Sequence, residues 1–68
     1  MKRFRFVYKN ENRFAGSVEA LDLTEAINLF GKANYLKEPF WEEPEIVTYC
    51  TVCYTTEDGE EVAYSVSW

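Results

Sequence analysis

Hydrophobic and polar positions alternate near the start of the chain, and this period of two predicts a hairpin of two strands. The first strand, Lys2–Tyr8, places its aromatic residues on one side and its arginines on the other. After a polar break rich in turn-forming residues, Arg13–Ala20 alternates again. Gly16 in this second strand is a candidate for a bulge or a bend. The predicted apolar side of the second strand consists of Phe14, Gly16, Val18 and Ala20.

The pattern then changes to spacings of three and four residues, which predict a helix. Asp22 and Glu25 form a capping-box pattern at its start. We expect the helix to run from about Leu23 to Tyr35, with Gly31 either ending it early or permitting close approach to the sheet. Its apolar stripe consists of Leu23, Ala26, Ile27, Phe30 and Ala33.

The remaining pattern predicts a linker and a second hairpin. Leu36–Pro44 is predicted to be a linker because its two prolines suit neither a helix nor a paired strand. Glu45–Thr56 is rich in β-branched and aromatic residues, which favours a third strand. An Asp-Gly turn at residues 58–59 follows, and Glu61–Trp68 alternates as a fourth strand.

These elements predict a single α+β domain spanning residues 1–68. Its fold is a four-stranded antiparallel sheet of two hairpins with one α-helix packed on one face, in the order ββαββ. The third strand is apolar on both sides, since Cys50 and Val52 alternate with Tyr49 and Cys53. Two interpretations fit this pattern: a central strand with an aromatic, threonine-rich outer face, or an open sheet face that a second molecule covers.

Composition narrows the class of protein. Aromatic residues make up 18% of the 68 residues and hydrophobic residues 47%, which excludes a disordered chain. No apolar run approaches the roughly 18 residues of a membrane-spanning helix. The charged start of the chain leads into alternation, so no signal peptide is predicted. We therefore expect a cytoplasmic protein whose small core depends on its aromatic side chains.

Charge is distributed unevenly along the chain. Up to Tyr35 there are six basic and four acidic residues, whereas from Leu36 onward there are one basic and eight acidic residues. Such a patch of one sign attracts a partner of the opposite sign. Phe40 and Trp41 lie within the first acidic cluster and either anchor a partner or fold back to close the core. The predicted partner-binding residues are Phe40, Trp41, Glu42, Glu43, Glu45, Glu57, Asp58, Glu60 and Glu61.

Candidate chemistry is sparse. Cys50 and Cys53 have the spacing of a metal or redox motif, but they fall within a strand, where residues three apart point to opposite faces. The chain has no histidine to complete a zinc site or to serve as a catalytic base. We predict no catalytic residues, no metal and no cofactor, and two reduced thiols that suit a reducing compartment.

Two alternative functions follow from other features. Arg3, Arg5, Lys9 and Arg13 resemble the cations of a nucleic-acid binder. Strand alternation, however, places Arg3 and Arg5 opposite Phe4 and Phe6, and the net charge of −5 repels phosphate. The second alternative is a homodimeric structural module in which two open sheet faces pack together.

The layout resembles small accessory proteins of phages and mobile elements, including those of the anti-CRISPR type. The resemblance lies in the strand Phe4–Tyr8, the helix Asp22–Phe30 and the acidic hairpin Glu57–Glu61, and it is one of layout without a specific motif. It implies a non-enzymatic protein-binding module that inhibits a host complex by blocking a basic, nucleic-acid-contacting face. The acidic, aromatic residues named above would form the blocking surface.

Overall fold

A computed structural model describes residues 1–42 and 48–68 of the chain. These residues form one antiparallel sheet of five strands, in the order β2-β1-β5-β4-β3, with one helix on one face. The elements are β1 (Lys2–Tyr8), β2 (Arg13–Ala20), α1 (Leu23–Ala33), β3 (Lys37–Trp41), β4 (Tyr49–Thr55) and β5 (Glu61–Ser67). The start of the predicted third strand, residues 45–47, lies outside the described residues.

The prediction of four strands in the order ββαββ was wrong, because the order is ββαβββ. Most of the predicted linker Leu36–Pro44 is strand β3, which pairs with β4 through Lys37, Phe40 and Trp41. β3 lies at the edge of the sheet and has one neighbouring strand, β4. An edge strand tolerates a proline, because the N–H that proline lacks is not needed to pair with a second strand. A register shift between Lys37 and Phe40 makes room for the proline in a strand that is paired on one side only.

The core lies between α1 and the sheet. The ring of Phe30 stacks on Phe6 with centroids 4.0 Å apart, and Tyr64 packs edge-on against both rings. The Tyr54 hydroxyl donates a hydrogen bond of 2.6 Å to the carbonyl of Ile27, so the buried phenol is satisfied within the core. The fully or nearly buried side chains are Phe4, Phe6, Ala20, Ala26, Ile27, Phe30, Cys50, Val52, Tyr54, Tyr64 and Val66.

The ends of α1 follow local rules. The predicted cap at its start is confirmed: Asp22 accepts a hydrogen bond from the backbone N–H of Glu25, and the Glu25 carboxylate accepts one from the backbone N–H of Leu21. The helix ends at Ala33, two residues before the predicted end, because Tyr35 adopts a left-handed φ of 57°. The backbone N–H of Leu36 then donates to the carbonyl of Gly31, which closes a Schellman motif.

A β-bulge in β2 changes which side chains share a face. Gly16 pairs with Phe6 and Phe14 pairs with Val7, so Ala15 is an extra residue in β2. Phe14 therefore lies on the face of Val7, away from the helix. The prediction that Phe14 shares a side with Gly16 and Val18 was wrong, because strict alternation fails at a bulge.

The second hairpin is confirmed. The backbone N–H of Gly59 donates to the carbonyl of Thr56 at 2.9 Å, and the N–H of Thr56 donates to the carbonyl of Glu60 at 2.8 Å. Gly59 has a φ of 86°, a left-handed conformation that glycine adopts without steric cost. The turn therefore projects its acidic residues beyond the ends of β4 and β5.

Candidate binding surfaces

The sheet separates the charges of the chain in space as well as in sequence. β1 and β2 carry most of the basic residues and lie together at one side of the sheet. β3 and the turn between β4 and β5 carry a cluster that we call the acidic side. Its members are Glu38, Glu57, Asp58, Glu60 and Glu61, all of them exposed.

An exposed aromatic ring lies within the acidic side. Phe40 is 68% exposed and pairs with Cys53 across β3 and β4. A shallow depression of about 270 Å³ is lined by Phe40 together with Glu38 and Glu61. An apolar ring next to two carboxylates therefore faces solvent at this edge of the sheet.

The other predicted members of this surface are placed differently. Trp41 pairs with Val52 and packs against the core, so it closes the core, which was one of the two alternatives for this residue. Glu42 is exposed at the end of β3. Glu43 and Glu45 lie outside the described residues. Phe40 and Trp41 thus point to opposite faces of the sheet, and Phe40 alone of the pair is accessible to a partner.

The face of the sheet opposite α1, which we call the open face, carries further aromatic residues. Phe14 on β2 is 52% exposed and Tyr49 on β4 is 54% exposed. Between them β5 contributes only small side chains, Ala63, Ser65 and Ser67. The strand β5 therefore adds no bulky side chain of its own between the two exposed rings.

Arg3 and Arg5 of β1, and Lys9 directly after it, lie on the same open face. The guanidinium carbon of Arg5 lies 4.8 Å from the centroid of the Phe14 ring, and Arg3 forms a 2.8 Å ion pair with Glu19. The ammonium of Lys9 reaches across β5 to within 3.4 Å of the Thr51 hydroxyl. We call Arg3, Arg5, Lys9, Phe14 and Tyr49 the basic-aromatic patch.

Tyr49 is held in this patch by polar contacts. Its hydroxyl lies 3.1 Å from the hydroxyl of Ser65 on β5. The pKa of the Tyr49 phenol is lowered, first by this hydrogen bond, then by Thr51, with the charge of Lys9 also contributing. The charge of Lys9, the residue after β1, therefore acts on the tyrosine of β4.

Arg13 does not belong to the patch, although the sequence grouped it with Arg3, Arg5 and Lys9. Its guanidinium lies 4.4 Å from the centroid of the Tyr8 ring, on the helix side of the sheet. A 2.9 Å ion pair with Glu11 also neutralises it and raises its pKa. The bulge at Ala15 separates Arg13 from the open face.

Sequence reasoning missed Phe14 as a surface residue. It followed the alternation through Gly16 and so placed Phe14 on the same side of the strand as Gly16, Val18 and Ala20. The signal that could have found it is Gly16, which marks the irregular stretch in which Ala15 is the extra residue. Because the phase of a strand reverses at a bulge, that one signal decides on which face the aromatic ring lies.

The two cysteines diverge, as the strand pattern predicted. Cys50 is buried on the helix side, whereas Cys53 lies on the open face between Ala63 and Phe40. Within residues 1–42 and 48–68, no three potential metal-ligating side chains come together. Over the same residues, no helix has the length and apolar character needed to cross a membrane.

No protein-family model matches the chain, and neither a curated protein nor a solved structure matches it. No residue role is therefore transferred to this chain from another protein.

Proposed function

We propose that this protein is a non-enzymatic, cytoplasmic protein-binding module of the anti-CRISPR type. It inhibits a host protein complex by covering a basic face that otherwise contacts nucleic acid. The observation that carries the proposal is the exposed ring of Phe40 in the same depression as Glu38 and Glu61. An aromatic anchor with a charged rim is the usual composition of a protein-binding surface.

The charge of the acidic side supports a basic partner. Its five acidic residues have one basic residue nearby in the sheet, Lys37. Complementary charges of this kind accelerate encounter, and an apolar anchor then slows dissociation. Phe40 takes the anchoring role that the sequence assigned to Phe40 and Trp41 together, since Trp41 packs against the core.

The proposal is tested by capture from a lysate of a bacterial host, followed by competition with nucleic acid. If the acidic side covers a nucleic-acid-contacting face, the captured protein is basic and added DNA or RNA releases it. The double variant Glu57→Gln/Glu60→Gln should reduce capture, because it removes two charges from the acidic side. The matched control Glu11→Gln/Glu19→Gln removes two charges from the basic side and should capture as the wild type does.

The role of Phe40 is tested separately on the captured partner. Phe40→Ala should raise the dissociation rate with little change in the association rate, because an anchor acts after encounter. Release that does not respond to nucleic acid, or equal losses for both charge variants, would contradict the proposal. An unchanged dissociation rate for Phe40→Ala would remove Phe40 from the interface.

A further inference from the structure

We propose that the basic-aromatic patch of the open face binds single-stranded nucleic acid by stacking bases on Phe14 and Tyr49 while Arg5 and Lys9 hold phosphates. This site is distinct from the acidic side and does not depend on the proposed function. The proposal rests on Phe14 and Arg5 lying on the same face, which strict alternation along β2 had excluded. The bulge at Ala15 moves an aromatic ring onto the same face as the arginines.

The aromatic residues suit stacking. Phe14 and Tyr49 are both about half exposed on a sheet face, so each presents part of its ring to solvent. They lie on β2 and β4, three strand spacings apart, which is roughly 14 Å. The small residues of β5 do not fill the space between them, and Arg5 and Lys9 border that space. A single strand laid across the sheet can therefore place one base on each ring, as in other sheet-based binders.

The charges suit phosphate. Arg5 lies on β1 and Lys9 directly follows it, between the strands that carry the two rings, and neither forms an ion pair within residues 1–42 and 48–68. Glu19 also lies on this face, where it is paired with Arg3. Most of the described acidic residues after Leu36 lie on β3 and at the turn after β4. The patch is thus locally positive although the whole chain is negative.

Nucleic acid fits this patch better than a second copy of the chain does. In a face-to-face dimer with its two-fold axis along the central strand β5, β1 would lie over β4 of the other copy. The open-face residues of β4 are Tyr49, Thr51, Cys53 and Thr55, none of which is acidic. With the axis across the strands, β1 would lie over β1 and cations would face cations. Phosphate, in contrast, complements the arginine and the lysine directly.

The experiment measures binding of fluorescein-labelled oligo-dT and oligo-U to the full chain by anisotropy over a range of salt concentrations. We expect binding that weakens as salt rises. Phe14→Leu and Tyr49→Ala should each weaken binding at least about 5-fold, because base stacking on the ring is lost. Phe14→Leu keeps an apolar side chain, so a defect points to the ring itself. The control Phe40→Ala removes a more exposed ring that lies beside Glu38 and Glu61, outside the basic-aromatic patch, and should bind as the wild type does.

The cations are tested through the salt dependence. Lys9→Gln and Arg5→Gln should each reduce the slope of log affinity against log salt by about 0.7, the value for one phosphate contact on a single strand. The control Lys32→Gln removes a cation from the helix side and should leave the slope unchanged.

Three results would overturn the inference. The first is no binding to either oligonucleotide at about 100 μM protein and low salt, where even non-specific binders associate. The second is binding that Phe14→Leu and Tyr49→Ala leave unchanged. The third is self-association by light scattering that those two variants abolish, which would assign the open face to a second copy.

Discussion

Gly31 sets the distance between the helix and the sheet through its lack of a side chain. A Cβ at this position would lie 2.8 Å from Cε1 of the Tyr54 ring. The ring cannot move away freely, because the Tyr54 hydroxyl is bound to the carbonyl of Ile27 on the same helix. Gly31 therefore lowers the intrinsic stability of the helix, but the close packing of the helix on the sheet requires it. Of the two roles that the sequence allowed, Gly31 permits close approach to the sheet.

We expect Gly31→Ala to destabilise the protein by about 1–3 kcal/mol, as overpacking of a core does. This is the opposite of the gain of about 1 kcal/mol that alanine gives at an unrestricted helix position. Urea unfolding measures the change in free energy. Ala33→Gly serves as the control, because it is exposed in the same helix and should lose about 1 kcal/mol through propensity alone. A more stable Gly31→Ala variant would show that the ring yields.

Strand β3 shows how a neighbour can make a strand from a segment that its own residues do not favour. Pro39 and the left-handed Glu38, with a φ of 48°, are both poor strand residues. β3 nevertheless pairs with β4, and its adjacent aromatic side chains lie on opposite faces of the sheet. Trp41 packs on the core, while Phe40 faces solvent. Burial of Trp41 stabilises the pairing of the whole element.

The two adjacent aromatic residues of β3 should therefore differ in their effect on stability. We expect Trp41→Ala to lower the free energy of unfolding by about 2–4 kcal/mol, because it removes a large ring that packs on the core. Phe40→Ala should change it by less than about 1 kcal/mol, the range of exposed strand positions. Chemical denaturation of the two variants makes the comparison. Equal losses would mean that Phe40 also contributes to the core.

Local signals made part of the fold predictable. The cap at Asp22 and the turn at Gly59 depend on residues a few positions apart, so the sequence alone indicated the start of α1 and the second hairpin. β3 escaped prediction because its partner strand lies on the far side of residues 43–47. The open-face position of Phe14 escaped because one extra residue, Ala15, reverses the phase of the strand. The acidic clusters were visible in the sequence, whereas their separation from the cations required the strand order.

At the scale of the whole molecule, the core is built around buried tyrosines whose ionisation opposes folding. Burial raises the pKa of Tyr54, and burial together with the nearby Tyr8 raises the pKa of Tyr64 to about 12. An unfolded chain ionises its tyrosines near pH 10. Above that pH the unfolded chain therefore releases protons that the folded chain retains, and the unfolded state gains stability.

We expect stability to be independent of these tyrosines below about pH 10 and to fall between about pH 10 and 12, by up to about 1.4 kcal/mol per pH unit for each tyrosine. Urea unfolding over a series of alkaline pH values measures this slope. Tyr64→Phe should reduce it, since phenylalanine cannot ionise, and Tyr35→Phe at an exposed position should reproduce the wild-type curve. A Tyr64→Phe curve parallel to that of the wild type would assign alkaline unfolding to other groups.

The position of β1 between β2 and β5 also bears on how quickly the protein folds. β1 pairs with β2 through a short turn, but its other neighbour is β5, so that Arg5 meets Ser67 across nearly the whole chain. The hairpins and α1 can form early, because their contacts are local. Pairing of β1 with β5 closes a long loop, which costs conformational entropy, and its contacts join residues far apart in the sequence. Until β1 and β5 pair, each strand has an unpaired edge. Phe6 then remains hydrated and can form non-native contacts. The slowest step of folding should therefore be the meeting of the two halves of the sheet.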